Sequence, residues 1–276
     1  MRPGTSPGAA RARGAALIVF LLVLVLVSAA QLLRGLNQSA TATGHQTEEL
    51  ARSGAALREA KQALLGAAIA HDAWKPAGEV PPGEGPGHFS CAAPSTDLEA
   101  DGTCGSGMPV QSAGFFPLSR DEDTRPSLPR ILDGSGSPLV FVMDTHFSKE
   151  PARPVHLGHT PRLLLDGVPV VALLFAPGAV RANQSRPQNA PFAIEHHLED
   201  PDNIDGDVRY VTPRQVLAND LVLAITHIDL LCAIRPRVRA ARVLQEAFNL
   251  NPASPPPPAW YGGEGWNDAD GAGGTR

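Results

Sequence analysis

The chain has 276 residues, a formal net charge of −5, and 27 glycines and 27 prolines, which together make up about a fifth of it against an ordinary share near an eighth. That length allows one large domain or two small ones, and the glycine and proline content asks for a loop-rich one. The positive residues are scattered and form no basic stripe to neutralise a phosphate backbone, so nucleic acid is excluded as an expected partner.

In chain order, the first element is an apolar run from Ala15 to Leu33 with only Ser28 and Gln31 as polar members. It is long enough to cross hydrocarbon as a helix. Arg2, Arg11 and Arg13 precede it with no acidic residue, which keeps the N-terminus cytoplasmic. The expectation is a leader over 1–14, a transmembrane helix over 15–34, and a single-pass protein of a bacterial inner membrane whose bulk is periplasmic. Ser28-Ala29-Ala30 offers the alternative of a secretory signal cut after Ala30, releasing a soluble exported binding protein.

Over 35–74 a helical stalk is predicted. Leu50, Leu57 and Leu64 recur every seven residues, with Ser53, Ala60 and Ala67 three positions later, giving one narrow stripe that needs a partner. Gly35, Gly44, Gly54 and Gly66 each weaken it by up to about 1 kcal/mol relative to Ala. A continuous helix from Ala15 to Ala70 would reach about 80 Å.

The run Lys75 to Gly87, KPAGEVPPGEGPG, fits neither helix nor central strand and opens a globular domain over 75–250. Cys91 and Cys104 bracket a loop rich in Asp, Gly, Pro and Ser, a spacing that suits one disulfide in an oxidising compartment; two unpaired thiols are the alternative. Pro138 to Met143 reads as a buried strand after the turn Asp133 to Gly136. Arg162 to Leu165 and Val168 to Phe175 flank Asp166-Gly167, a two-residue hairpin signal, and Pro169 asks for an edge position or a bulge. Val208 to Val211 is a further short strand. Thr212-Pro213-Arg214-Gln215 matches a capping box, so a helix is predicted from there, with Leu217, Leu221, Ala224, Ile225, Ile228, Leu231 and Cys232 on its buried face. Pro236 interrupts it, and a second helix runs to Asn249. The tail 251–276 lacks periodic apolar residues and is expected to be disordered, with Trp260, Tyr261 and Trp266 as aromatics for which docking is the alternative.

No GxSxG, HExxH, P-loop or dinucleotide fingerprint is present, so the common routes to catalysis lack their local signatures and a non-enzymatic protein is expected. His156 with His159 and the pair His196-His197 are read as surface or loop histidines, because a metal site needs a third ligand at defined geometry. Asp200, Asp202, Asp205 and Asp207 around Gly206 concentrate hard oxygen ligands suited to calcium but miss the EF-hand pattern, with Pro201 at its first ligand position and Thr212 at its last. Calcium at Asp202, Asp205 and Asp207 is therefore weighed against a solvated acidic turn. Asp97, Glu99 and Asp101 in the cysteine loop are treated alike, and no other cofactor is expected.

The junction Arg13-Gly14-Ala15-Ala16-Leu17-Ile18 resembles the leader junction of the type IV pilin-like proteins, which include minor pilins and the pseudopilins of type II secretion. Ala60 to Gly66, the Cys91 to Cys104 loop, Leu132 to Met143, Ala172 to Arg186, Glu199 to Val211 and Asn219 to Val238 are also similar to blocks of one branch of that family. The resemblance implies cleavage by a prepilin peptidase after Gly14 and N-methylation of Ala15. Its implied fold is α+β: a long N-terminal transmembrane and stalk helix, then a small loop-rich antiparallel β-sheet domain and a C-terminal helix. Implied partners are other pilin-like subunits through the N-terminal helix, membrane lipid and the inner-membrane assembly machinery. Some pseudopilins bind calcium in loops, which favours the Asp202, Asp205 and Asp207 reading. The family's major subunits carry a glutamate five residues into the mature chain, where this chain has Val19. That departure points to a minor or tip subunit, serving secretion, adhesion or DNA uptake.

Overall fold

A computed structural model describes residues 45–70, 85–95, 97–98, 104, 110–118, 128–148, 155–156, 158–181, 184–186, 191–214, 219–262 and 266. The chain divides into two units, Met1–Glu48 and Glu49–Arg276. Of the first, only 45–48 are described, as the opening residues of a helix; everything below concerns the second.

Helix α1 (45–70) buries Ser53, Ala56, Leu57, Ala60, Leu64, Leu65 and Ala68 and exposes Arg52, Arg58 and Glu59 on the other side. The partner that the Leu57 and Leu64 stripe required is the domain's own core. Small residues at 56, 60 and 68 let the helix backbone lie close to what it covers. Lys61 donates to Asp229 Oδ2 at 2.8 Å and to the Ala224 carbonyl at 3.0 Å, fixing the middle of the helix against later elements.

The strands are β1 (Gln111–Phe115), β2 (Val140–Asp144), β3 (Leu163–Leu165), β4 (Val168–Val170), β5 (Ala172–Ala176), β6 (Arg209–Tyr210) and β7 (Leu221–Ile225). Four make one sheet in the order β1-β2-β5-β7, antiparallel throughout; three make a second in the order β4-β3-β6, with β3 and β6 parallel. β2 and β5 are central and buried along their whole length, as their near-continuous apolar sequences require. Alternation then sorts side chains to two cores. Phe141, Met143, Ala172, Leu174 and Ala176 join α1 and the C-terminal helix α2 (His227–Leu250). Val140, Val142, Leu173 and Phe175 meet Leu163, Val170 and Tyr210 of the second sheet.

Asp166 and Gly167 both have positive φ, 51° and 80°, as a tight hairpin turn demands. Pro169 lies on β4, an edge strand, as its missing N–H requires. The expected single strand from Val168 to Phe175 divides at Val171, whose N–H reaches the Ile225 carbonyl at 2.9 Å, so one run serves both sheets.

The expected fold and location are corrected by this architecture. Among the described residues no helix is long and apolar enough to cross a membrane, because α1 carries Glu48, Glu49, Arg52, Arg58, Glu59 and Lys61 and α2 carries arginines, and ionic side chains of that density are too costly in hydrocarbon. The transmembrane-anchored pilin-like fold and the single-pass inner-membrane location therefore gain no support from the structure; residues 15–34, on which the transmembrane helix was expected, lie outside the described residues. Two α-helices are described, with a four-stranded antiparallel sheet and a mixed three-stranded sheet in place of one small antiparallel sheet.

Among the described residues the helix expected from Thr212 is also absent, 212–214 and 219–220 being non-helical and 221–225 a strand. Thr212 instead donates through N–H (3.0 Å) and Oγ1 (2.5 Å) to Asp166, tying the chain after β6 to the β3–β4 turn. Leu221–Ile225 pairs with β5, and α2 begins at His227 behind a capping box in which Thr226 and Asp229 bond each other's backbone. Pro236 sits within α2 on its exposed side, where water can serve the carbonyl it leaves unbonded. The register set at Thr226 turns Leu230, Leu231, Ile234, Val238 and Ala241 inward and leaves Cys232 exposed, not buried as expected.

Candidate functional site

Gly14 and Ala15, the expected leader junction, lie outside the described residues. Cys91 and Cys104 form the expected disulfide, with Cα atoms 5.7 Å apart. Both half-cystines are buried within the main core.

Asp202, Asp205 and Asp207 are exposed, and the carboxylates of Asp205 and Asp207 bond the backbone of their own turn. Asp205 Oδ1 accepts from Asp207 N–H at 3.1 Å and Asp207 Oδ1 from Arg209 N–H at 2.5 Å, while Asp200 Oδ1 caps Pro201–Asn203 by accepting from Asp202 N–H. No group of three or more His, Cys, Asp or Glu that could hold a metal ion occurs among the described residues. The expected calcium candidates are not brought together.

Histidines gather where the sequence suggested only a pair. The His156 and His159 rings lie 4.0 Å apart, His146 stacks on His159 at 5.8 Å, and Phe147 touches both His159 and His227. Burial holds the His227 imidazole below its ordinary range.

The most developed polar arrangement is one that sequence reasoning missed. It joins the turn at 133–137, the strand exit at 177–181, the residues 184–186, the segment 196–199 and the entry to β7. Asp133, buried, accepts from Ser135 N–H, Ser137 N–H and Gly178 N–H at 2.9, 2.8 and 2.7 Å. Gly178 has φ +65°, and a Cβ there would meet Asn219 at 2.7 Å, so a glycine is needed. Arg186 spreads its guanidinium over the carbonyls of Pro177, Gly178, His196 and His197 and the hydroxyl of Ser137, at 2.8 to 3.3 Å.

Glu199 and Asp220 complete it. Asp220 Oδ2 accepts from Glu199 N–H at 3.0 Å, and Glu199 Oε2 accepts from Asn219 N–H at 2.9 Å, so each carboxyl group holds backbone beside the other. Arg181 Nε lies 3.5 Å from Glu199 Oε1. Asp220 is 2% exposed, and burial, with the charge of Glu199 against it, pushes its carboxyl up to about 7. Burial, then Arg186, pulls His197 down to about 4, which keeps that imidazole neutral near pH 7. These residues are singletons spread from 133 to 220, so no local spacing could have announced them.

Comparison of the chain with protein-family models, with curated proteins and with solved structures returned no match.

Proposed function

We propose that the chain is a non-enzymatic pilin-like subunit, a minor or tip component of a type IV pilus or type II secretion pseudopilus. The observation that supports this reading is the placement of α1: a helix near the start of the chain lies with its Leu57, Ala60, Leu64 and Ala68 face against an antiparallel sheet and acts as the domain's column. Its outward face carries the short residues Ala51, Ala55 and Gly66 on either side of Arg58 and Gln62, a surface on which a sister helix can approach closely. The Cys91–Cys104 disulfide agrees with an oxidising compartment, where such assemblies operate. Val19 in place of the glutamate of major subunits favours the minor or tip role.

N-terminal sequencing and intact mass of the protein recovered from its native cells test the proposal. A mature chain starting at Ala15 with a methylated amine is expected, together with recovery in a sheared filament or pseudopilus fraction. A chain starting at Gln31 and recovered free of any assembly would overturn it in favour of a released binding protein.

A further inference from the structure

Helix α2 turns one strip of its surface away from the core. Ile228, Cys232, Pro236, Val243 and Leu250 are all exposed and fall within about a quarter of the helix circumference. Of the seven large apolar side chains exposed among the described residues, Ile228, Val243 and Leu250 are three, at 72%, 63% and 88%. They line about 33 Å of one helix, which sets them apart from the single exposed hydrophobes that any surface carries.

The charges beside the strip identify its occupant. Arg235 and Glu246 stand on the same flank, eleven residues apart, which at about 16 Å is too far for them to meet within one helix. Neither has an ion-pair partner among the described residues. Arg237 and Arg242 are engaged by the tail, over the Trp260 ring and at the Tyr261 hydroxyl. A second α2 laid antiparallel about a two-fold axis near Ala240 brings Arg235 of each copy level with Glu246 of the other on the same flank, so the pairing is made twice. Arg239, exposed beside that axis, reaches the same carboxylate. The axis also sets Pro236 against Val243 of the partner subunit, and Cys232 against Leu250 of the partner subunit. A parallel pair would instead oppose arginine to arginine and glutamate to glutamate.

We propose that this face of α2 is the interface with a second copy of the chain, an isologous antiparallel helix pair centred near Ala240. Such a pairing holds whether or not the chain enters a filament.

The free thiol of Cys232 gives the register a direct test. In the antiparallel pair the two Cys232 residues lie about 25 Å apart, and Cys232 and Leu250 of one chain about 27 Å apart, while each Cys232 lies beside Leu250 of the partner subunit. Leu250→Cys, at a position 88% exposed, should therefore give a disulfide-linked dimer on mild oxidation of the full chain, with Cys232 joined to the introduced thiol in the peptide map, and the parent chain should give none. Glu246→Arg in that background should lower the yield of linked dimer about tenfold, two ion pairs being replaced by two like-charge contacts, and adding Arg235→Glu should restore it. Should the double exchange not fold, the peptide map of Leu250→Cys alone decides. No linked dimer in Leu250→Cys, a Cys232–Cys232 dimer in the parent, or a yield indifferent to Glu246→Arg would overturn the pairing. A chain that stays monomeric and binds vesicles of anionic phospholipid through Arg235 and Arg239 would also overturn it, in favour of a lipid surface on this face.

Discussion

Asp144 shows how much a single residue holds together. It is 0% exposed, and it accepts from Arg162 N–H at 2.7 Å, Arg162 Nε at 3.0 Å, Arg162 Nη2, and His146 N–H at 3.0 Å. It thereby ends β2, caps the short turn Thr145–Phe147 and anchors the strand entering β3. Arg162 spends its remaining reach on the Val110 carbonyl and Thr145 Oγ1, both at 3.2 Å. Replacing Asp144 by Ala leaves several donors without an acceptor and a guanidinium without its counter-charge, a loss of about 3 kcal/mol, at the low end for a buried pair because the arginine reaches water. Urea unfolding of Asp144→Ala should show that loss, and Asp144→Asn, which keeps an acceptor, should lose less. A change under about 1 kcal/mol in the alanine variant would mean that the ion pair is not what holds this corner.

Elements formed by local chemistry were legible in the sequence; those decided by tertiary pairing were not. The Asp166-Gly167 turn, the edge position of Pro169 and the inward stripe of α1 follow from positive φ, a missing N–H and a 3.6-residue period, all properties of neighbouring residues. Thr212-Pro213-Arg214-Gln215 carried an equally good local start signal and was overridden, because Leu221–Ile225 completes the edge of a sheet whose partner strand lies about 50 residues earlier in the chain. The true start, Thr226-His227-Ile228-Asp229, has the same form fourteen residues on. The Asp220 cluster was illegible for a similar reason: its pairings run between residues far apart in sequence. Local chemistry also yields a test at this scale. Gly66 lies within α1, is exposed, and a Cβ built on it meets nothing within 4 Å. Gly66→Ala should therefore stabilise the chain by about 0.5 to 1 kcal/mol, raising the thermal midpoint without altering the fold. A lowered midpoint would show that this face of α1 is covered by something a methyl group disturbs.

For the molecule as a whole, the decisive feature is that one core draws on residues from Ala56 in α1 to Trp266 in the C-terminal tail. The tail was expected to be disordered, yet Trp260 and Trp266 are 1% and 0% exposed. Their rings meet edge to face at 5.0 Å, Trp266 Nε1 donates to the Trp260 carbonyl at 3.0 Å, and the Arg237 guanidinium lies 5.7 Å over the Trp260 ring. A Cβ on Gly85 would come within 2.5 Å of Trp266 and 2.8 Å of Trp260, so the chain following α1 is cut to glycine where the tail lies on it. Periodicity gave no warning because two large rings supply the burial that a helix spreads over many residues. Removing one buried tryptophan costs about 3 to 5 kcal/mol, and removing both approaches the whole stability of an ordinary domain, about 5 to 15 kcal/mol. A chain ended after Leu250 should thus lose cooperative unfolding at 25 °C, and Trp266→Ala should unfold at a clearly lower urea concentration than the parent. Gly85→Ala, which touches no tail residue's identity, should reproduce part of that loss by forcing the rings out of place. An unchanged midpoint in all three would place the two tryptophans outside the cooperative core, and α1 and the sheet would then have to close it without them.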